Sequence, residues 1–406
     1  MRVLVVSHSC VVDVNQQVFV ALTQRQGIDV GLLIPSHWKS DITGAPVEPR
    51  FLPEIATHAV PVMTAPVLAP GHITFHCYKY LPMTAIRDFR PDLIFSTQEP
   101  WSLSNLQALH LASRLGLPFL FQTNQNLNKT YAPPFSWFER LSYRRASMAL
   151  AYSEEARQVM IRKGLTVPSE VVPYATDTRR FLPRETTERR RTLGIADATV
   201  VGYLGRLVPE KGLDTLIDAV ARLKTDRPVK LLFVGAGPQE AELRQRIADA
   251  GLTEQAVFAG VVPHHEAAEY MACMDIFVLP SRTMPNWKEQ FGRVIIEALA
   301  CHVPVIGSDS GQIPHLLRET GGGIIFREGD ADDLAGSLKR LIESPEERSR
   351  LAVGGARIVE ERFTCEAVAA QLHRIFEGVL GATPSGAPRQ DAARGSRTAS
   401  EVGRPS

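Results

Sequence analysis

Strand-length apolar runs recur along the chain and alternate with stretches whose apolar positions fall three and four apart. In the first half the runs predict strands at Arg2–Ser7, Val30–Pro35, Asp92–Thr97, Phe119–Thr123, Met148–Ser153 and Glu170–Pro173. In the second half they fall at Thr199–Gly205, Lys230–Gly235, Ala256–Gly260, Ile276–Ser281, Pro304–Ser308 and Gly323–Phe326. Runs such as Val200 to Gly205 and Lys230 to Gly235 lack polar alternation, the mark of parallel strands buried on both faces. Between them lie helical stretches such as Leu213–Leu223. Strand–helix alternation of this kind builds α/β folds with doubly wound parallel sheets.

Twelve strands are many for one sheet, and the pattern restarts near Thr199. The charged segment Arg184–Arg191 reads as a linker. The expected architecture is therefore two Rossmann-like, doubly wound domains, residues 1–185 and 186–364, facing across a cleft. Helices follow the last strand at Ala331–Ile342, Pro345–Arg362 and Cys365–Leu380. The last of them, over 365–380, is expected to pack back toward the first domain. Beyond Gly381 the composition turns to Gly, Ser, Pro, Ala and Arg, so 381–406 reads as a disordered tail.

Composition narrows the class. The chain has 406 residues, 44% of them hydrophobic and 22% charged, which suits a soluble globular protein. No stretch approaches the roughly 18 unbroken apolar residues of a membrane span. The apolar start, Met1 to Ser7, is too short for a signal peptide and reads as a first strand, so a cytoplasmic location is expected. Five cysteines are scattered without a CxxC pair, which fits reduced thiols rather than a disulfide or zinc framework. A net charge of +1 argues against a nucleic-acid partner, while a slight excess of cations before residue 180 suits a domain that visits an anionic membrane surface.

Two segments carry candidate chemistry. In Glu289-Gln290-Phe291-Gly292-Arg293-Val294-Ile295-Ile296-Glu297, two glutamates stand eight positions apart around a glycine that precedes a helix. One carboxylate can face sugar hydroxyls and the other a ribose. The free N–H groups of Phe291 and Gly292 suit phosphate oxygens. The competing reading is a surface helix whose acids favour its positive end. In Gly202-Tyr203-Leu204-Gly205-Arg206-Leu207-Val208-Pro209-Glu210-Lys211, a strand ends at a glycine and two cations follow. A fixed guanidinium and ammonium can stabilise a departing diphosphate without a metal ion. Alternatively they are two solvated surface charges.

Both segments resemble the donor-site signatures of family 4 glycosyltransferases, which have the GT-B fold and retain anomeric configuration. The resemblance implies that Arg206 and Lys211 bind the donor diphosphate, Glu289 contacts the transferred sugar and Glu297 the ribose. Gly205, Gln290, Phe291 and Gly292 would line the donor site, and Val261 and Val262 would lie beside the nucleobase. It further implies a first domain that binds the acceptor, a second that binds the nucleotide sugar, and no cofactor or metal. The likeness extends through Phe233 to Pro238, Asp275 to Ser281, Pro304 to Pro314, Ala151 to Ala156 and Val172 to Asp177.

This chain also departs from the family pattern. Val12-Asp13-Val14-Asn15-Gln16 replaces a Gly-Gly turn, His302 replaces a turn glycine, and His315 replaces a glutamate. A histidine common after the fourth strand is replaced by Gln122-Thr123-Asn124-Gln125-Asn126. On the acceptor side Asn15, Glu99, Asn124, Gln125 and Asn126 are expected to face the cleft. The acceptor would be a glycan, a lipid-linked species or a small molecule. Two other readings fit the same architecture: a sugar-nucleotide epimerase, and a non-catalytic nucleotide-sugar-binding subunit.

Weaker signals have simpler readings. Gly235-Ala236-Gly237 lacks the third glycine of a dinucleotide fingerprint. Asp330-Ala331-Asp332 precedes an amphipathic helix and reads as a cap rather than a metal motif. His264-His265 read as solvated. The helix Phe135–Ser147 joins Phe135, Trp137, Phe138 and Leu141 to Arg140, Arg144 and Arg145, so it packs on the first sheet or docks on a membrane surface.

Overall fold

A computed structural model describes residues 1–39, 44–57, 60–263 and 266–382. The segment beyond 382 and the pair His264-His265 lie outside the described residues. The first half forms a parallel sheet of seven strands: β1 (Arg2–Val6), β2 (Asp29–Pro35), β3 (Val62–Ala65), β4 (Leu93–Ser96), β5 (Phe119–Thr123), β6 (Met148–Ala151) and β7 (Ser169–Val171). Their spatial order is β7-β6-β5-β4-β1-β2-β3. The second half forms a parallel sheet of six: β8 (Thr199–Leu204), β9 (Val229–Val234), β10 (Ala256–Gly260), β11 (Ile276–Leu279), β12 (Val305–Ser308) and β13 (Gly323–Phe326), in the order β10-β9-β8-β11-β12-β13.

The absence of polar alternation has a direct cause. Successive side chains of a strand point to opposite faces, and both faces of β1 are covered. Val3 and Val5 join a cluster with Phe19, Leu372 and Phe376, while Leu4 and Val6 join one with Leu109 and Ala112 on the other side. Phe376 and Leu372 belong to the last helix, Cys365–Ala382, which lies against the first sheet although the chain reaches it from the second. Phe376 contacts Phe95 at 5.4 Å, and Gln371 Nε2 donates to the Val171 carbonyl at 2.8 Å.

Three differences from the sequence reading bear on the domains, besides two short two-stranded sheets, Trp38–Lys39 with Pro46–Val47 and Val67–Leu68 with Cys77–Tyr78, that it did not anticipate. Strand β3 was not anticipated: it is four residues long, lies at the sheet edge and is hemmed in by Pro61 and Pro66. The charged segment 184–191 is not a linker. Thr187–Thr192 is helical and fastened to the second domain, with Arg189 paired to Glu269 and Arg190 to Asp275 at 3.0 Å. The crossing lies earlier, where Thr176 N–H donates to the Phe363 carbonyl at 2.8 Å and Phe181 already sits in the second core. The last helix also runs to Ala382, past the expected start of the tail.

Candidate active site

In a doubly wound sheet, the loops that follow adjacent strands at the reversal of strand order splay apart and leave a crevice. The second sheet reverses between β8 and β11. The loop after β8 carries Gly205, Arg206 and Lys211, and the loop after β11 carries Glu289 to Gly292. The two are locked together at Gly212, where φ is 61° and a Cβ would lie 2.2 Å from the Pro280 carbonyl oxygen. Only glycine fits there.

Lys211 Nζ donates to Glu289 Oε2 at 2.6 Å, and the Ser281 hydroxyl donates to the same oxygen at 3.0 Å. The ammonium also lies 4.8 Å from the Trp287 ring centroid. With both side chains largely buried, this pair is shielded from the screening that weakens surface ion pairs. Arg206 is more open and faces Glu210 at 3.8 Å, leaving its donors accessible at the crevice mouth. Gly205 ends the strand with its N–H bonded to the Val234 carbonyl at 2.9 Å.

Gly292, at φ 81°, caps the helix Arg293–Ala300. Glu297 is buried in that helix, where burial pushes its carboxyl above the usual range and Arg293, at 3.3 Å, opposes the shift. Glu289 and Glu297 therefore have separate cationic partners. Phe291 is buried between Tyr174 and Phe363. Val261 and Val262 follow edge strand β10; Val261 is 79% exposed, and Val262 packs on the second core.

The first sheet reverses between β1 and β4. The loop after β1 carries His8 and Asn15, and the loop after β4 carries Gln98 and Glu99. Glu99 accepts from the Thr123 hydroxyl and, at 3.1 Å, from the Asn124 N–H. Burial nevertheless pushes its carboxyl up to about 7. Gln125 donates to the Tyr131 hydroxyl at 2.7 Å.

The two crevices meet. Asn124 Nδ2 donates to Gln290 Oε1 at 3.1 Å, Asn126 Nδ2 to the Glu289 carbonyl at 3.0 Å, and Arg293 to Asn15 Oδ1 at 3.3 Å. Lys288 pairs with Glu155 across the same boundary. Between the domains lies a cavity of about 630 Å³ lined by Asn15, Glu99, Asn124, Gln125, Gln290 and Arg293.

Four of the five expected acceptor-side residues thus line one cavity, and the fifth, Asn126, bonds to the Glu289 backbone. Residues not anticipated also line it: His8, Trp101, Tyr131, Tyr152 and Arg293. His8 and Arg293 could have been found from their place just beyond a strand or loop at a reversal point. Among the described residues no cluster of His, Cys, Asp and Glu could hold a metal ion. Asp330 accepts from the N–H groups of Asp332 and Asp333, both at 3.0 Å, as a helix cap.

The fold matches that of the Anabaena protein Alr3699/HepE, solved in complex with UDP and glucose, with a TM-score of 0.70 over 93% of this chain and all of that one, at 21% identity. The "Glycosyl transferases group 1" family model matches residues 185–357, and the "Glycosyl transferase 4-like domain" model matches 16–175. The chain belongs to family 4 of the glycosyltransferases, with the GT-B architecture of two Rossmann-like domains. It is 28% identical to the alpha-D-kanosaminyltransferase of Streptomyces kanamyceticus over 66% of this chain and 73% of that protein. It is 33% identical to the GDP-mannose-dependent monoacylated alpha-(1-6)-phosphatidylinositol monomannoside mannosyltransferase of Corynebacterium glutamicum, over 51% of this chain. The match spans only about half of that mannosyltransferase, 56%.

Proposed function

We propose that the chain transfers a hexose-type sugar from a nucleoside-diphosphate sugar to a hydroxyl of a glycan, lipid-linked or small-molecule acceptor, with retention of configuration and without a metal ion. The setting would be polysaccharide or glycoconjugate biosynthesis. The observation that carries this reading is the Lys211–Glu289 pair, with Arg206 beside it, at the reversal point of the second sheet. In the reaction the bond from the anomeric carbon to the β-phosphate oxygen breaks, and a bond from that carbon to the acceptor oxygen forms on the same face. The acceptor proton passes to the departing phosphate. Arg206 and Lys211 take up the charge that grows on the diphosphate, and fixed cations in a shielded crevice do this without reorganising. Glu289 would hold the transferred sugar, and Glu297 the ribose. The amides of Phe291 and Gly292 would bind phosphate, with Gly205 and Gln290 lining the donor site and Val261 and Val262 beside the base. Asn15, Glu99, Asn124, Gln125 and Asn126 would present the acceptor.

A nucleotide-sugar screen tests this reading. GDP-mannose or UDP-glucose should raise the melting temperature, as any ligand held by the folded state does. With a donor so identified, Lys211→Ala should lower turnover by roughly two to three orders of magnitude while the fold persists. Unimpaired transfer by that variant would refute the assignment, and consumption of donor to an isomer without an acceptor would favour an epimerase.

We also infer that the protein works in the cytoplasm, with its first domain resting on an anionic membrane face. No described helix is long and apolar enough to cross a membrane. The helix Phe135–Arg145 turns Glu139, Ser142 and Tyr143 inward and leaves Trp137 57% exposed, beside exposed Arg140, Arg144 and Arg145. Phe75, also exposed, contacts Phe135 and extends the apolar surface. Vesicles of phosphatidylglycerol should co-sediment with the protein and lose it when the three arginines become glutamate. Equal recovery on neutral and anionic vesicles would exclude this surface.

A further inference from the structure

His8 stands where β1 ends, at the reversal point of the first sheet, and lines the cavity between the domains. Its ring lies 5.1 Å from both Trp38 and His76, whose own rings are 4.9 Å apart. Nothing in the donor cradle uses this group.

The hydrogen bonds around it fix a direction. His76 Nδ1 faces two carbonyl oxygens, His72 at 3.0 Å and Ile73 at 3.1 Å, so the proton of that ring sits on Nδ1. His76 Nε2 is then an acceptor. It is buried and without a hydrogen-bond partner among the described residues, as is the amide nitrogen of Gln98. Gln98 turns its carbonyl oxygen to His8 Nδ1 at 2.5 Å. A carbonyl only accepts, so His8 also carries its proton on Nδ1. Its Nε2 is left with a lone pair and has no hydrogen-bond partner among the described residues. Burial lowers the pKa of both rings, that of His76 to about 4, which keeps the two neutral near pH 7.

The same cavity has a stacked aromatic pair, Trp101 and Tyr131, with ring centres 4.4 Å apart and planes at 22°. The side-chain amides of Asn124 and Gln125 line it as well. Lys163 Nζ lies over the Tyr131 ring, 4.7 Å from its centroid, and Trp101 is buried, so the pair walls the cavity while the amides suit hydroxyls.

We propose that His8 positions the acceptor, its Nε2 accepting a hydrogen bond from a hydroxyl of a cyclic polyol, a sugar or cyclitol, with the Gln98 carbonyl fixing the tautomer. This rests on reading the cavity as the acceptor site and names what that site takes. His8 orients the hydroxyl, and the transferred proton still leaves with the diphosphate.

The test uses the full chain labelled with 15N-histidine, with UDP and GDP as donor-side probes and myo-inositol and methyl α-D-glucopyranoside as acceptor-side probes. His8 should show a protonated Nδ1 and a bare Nε2 whose resonance shifts when a polyol is added. His8→Phe keeps the ring packing and should weaken polyol binding about ten-fold, the loss of one hydrogen bond, with nucleotide affinity unchanged. His8→Gln should recover part of the loss, because its amide oxygen can accept. If His8→Phe does not fold, Gln98→Met, which frees the tautomer, should show the same selective loss. A proton on His8 Nε2, no response to either polyol, or wild-type polyol affinity in the variants would overturn the inference. Failure of wild-type chain to bind either nucleotide would instead overturn the transferase reading.

Discussion

Two carboxylates at the cleft face opposite circumstances. Glu289 has an ammonium at 2.6 Å and a hydroxyl at 3.0 Å, whereas Glu99 has two hydrogen-bond donors and, among the described residues, no ion-pair partner. Burial therefore dominates at Glu99 and lifts its pKa from the ordinary value to about 7. A carboxyl raised in the folded state binds its proton more tightly there than in the unfolded chain. Its stabilising contribution is complete below about pH 4.5 and is lost as pH rises through about 7. Glu99→Gln mimics the protonated form, so the variant should match wild type in urea unfolding at pH 5 and exceed it at pH 8, by on the order of 2 kcal/mol. Parallel pH profiles for the two proteins would show that Glu99 is ionised in the fold. Sequence reading expected Glu99 to face the cleft on the acceptor side. It passed over His8, which follows the first strand at the same reversal; what the sequence could not show is that Trp38, His76 and Gln98 gather around that ring.

At the scale of elements, strands buried on both faces were legible because an apolar run of that length without alternation leaves no side chain suited to water on either face. Charge patterns were less informative. Arg189 and Arg190 find Glu269 and Asp275 some eighty positions away, a pairing invisible along the chain, so a docked helix was read as a linker. The turn after the helix Arg293–Ala300 shows a different local conflict. His302 occupies φ 59°, a left-handed conformation that costs an L-residue roughly 1 kcal/mol or more. This is the position where the family resemblance led us to expect glycine. His302 is exposed, and its N–H bonds to the Leu299 carbonyl at 2.9 Å whatever the side chain. His302→Gly should therefore raise stability by up to roughly 1 kcal/mol, partly offset by the greater freedom of glycine in the unfolded chain. A clear loss of stability in denaturant unfolding would mean that the imidazole makes a contact worth more than the strain.

At the scale of the whole molecule, the two sheets place their reversal points face to face, and side-chain amides join them: Asn124 to Gln290 and Asn126 to the Glu289 backbone. The last helix fastens the arrangement by returning Phe376 and Leu372 to the first core. Donor and acceptor would then meet in a crevice from which water is largely excluded, which favours transfer over hydrolysis. The most direct test is calorimetric titration of wild type, Arg206→Ala and Lys211→Ala with the nucleoside diphosphate and the matching nucleoside monophosphate. Wild type should prefer the diphosphate, and each variant should lose at least about ten-fold in diphosphate affinity while its weak monophosphate binding stays unchanged. Undiminished diphosphate binding by both variants would place the pyrophosphate elsewhere and contradict the account.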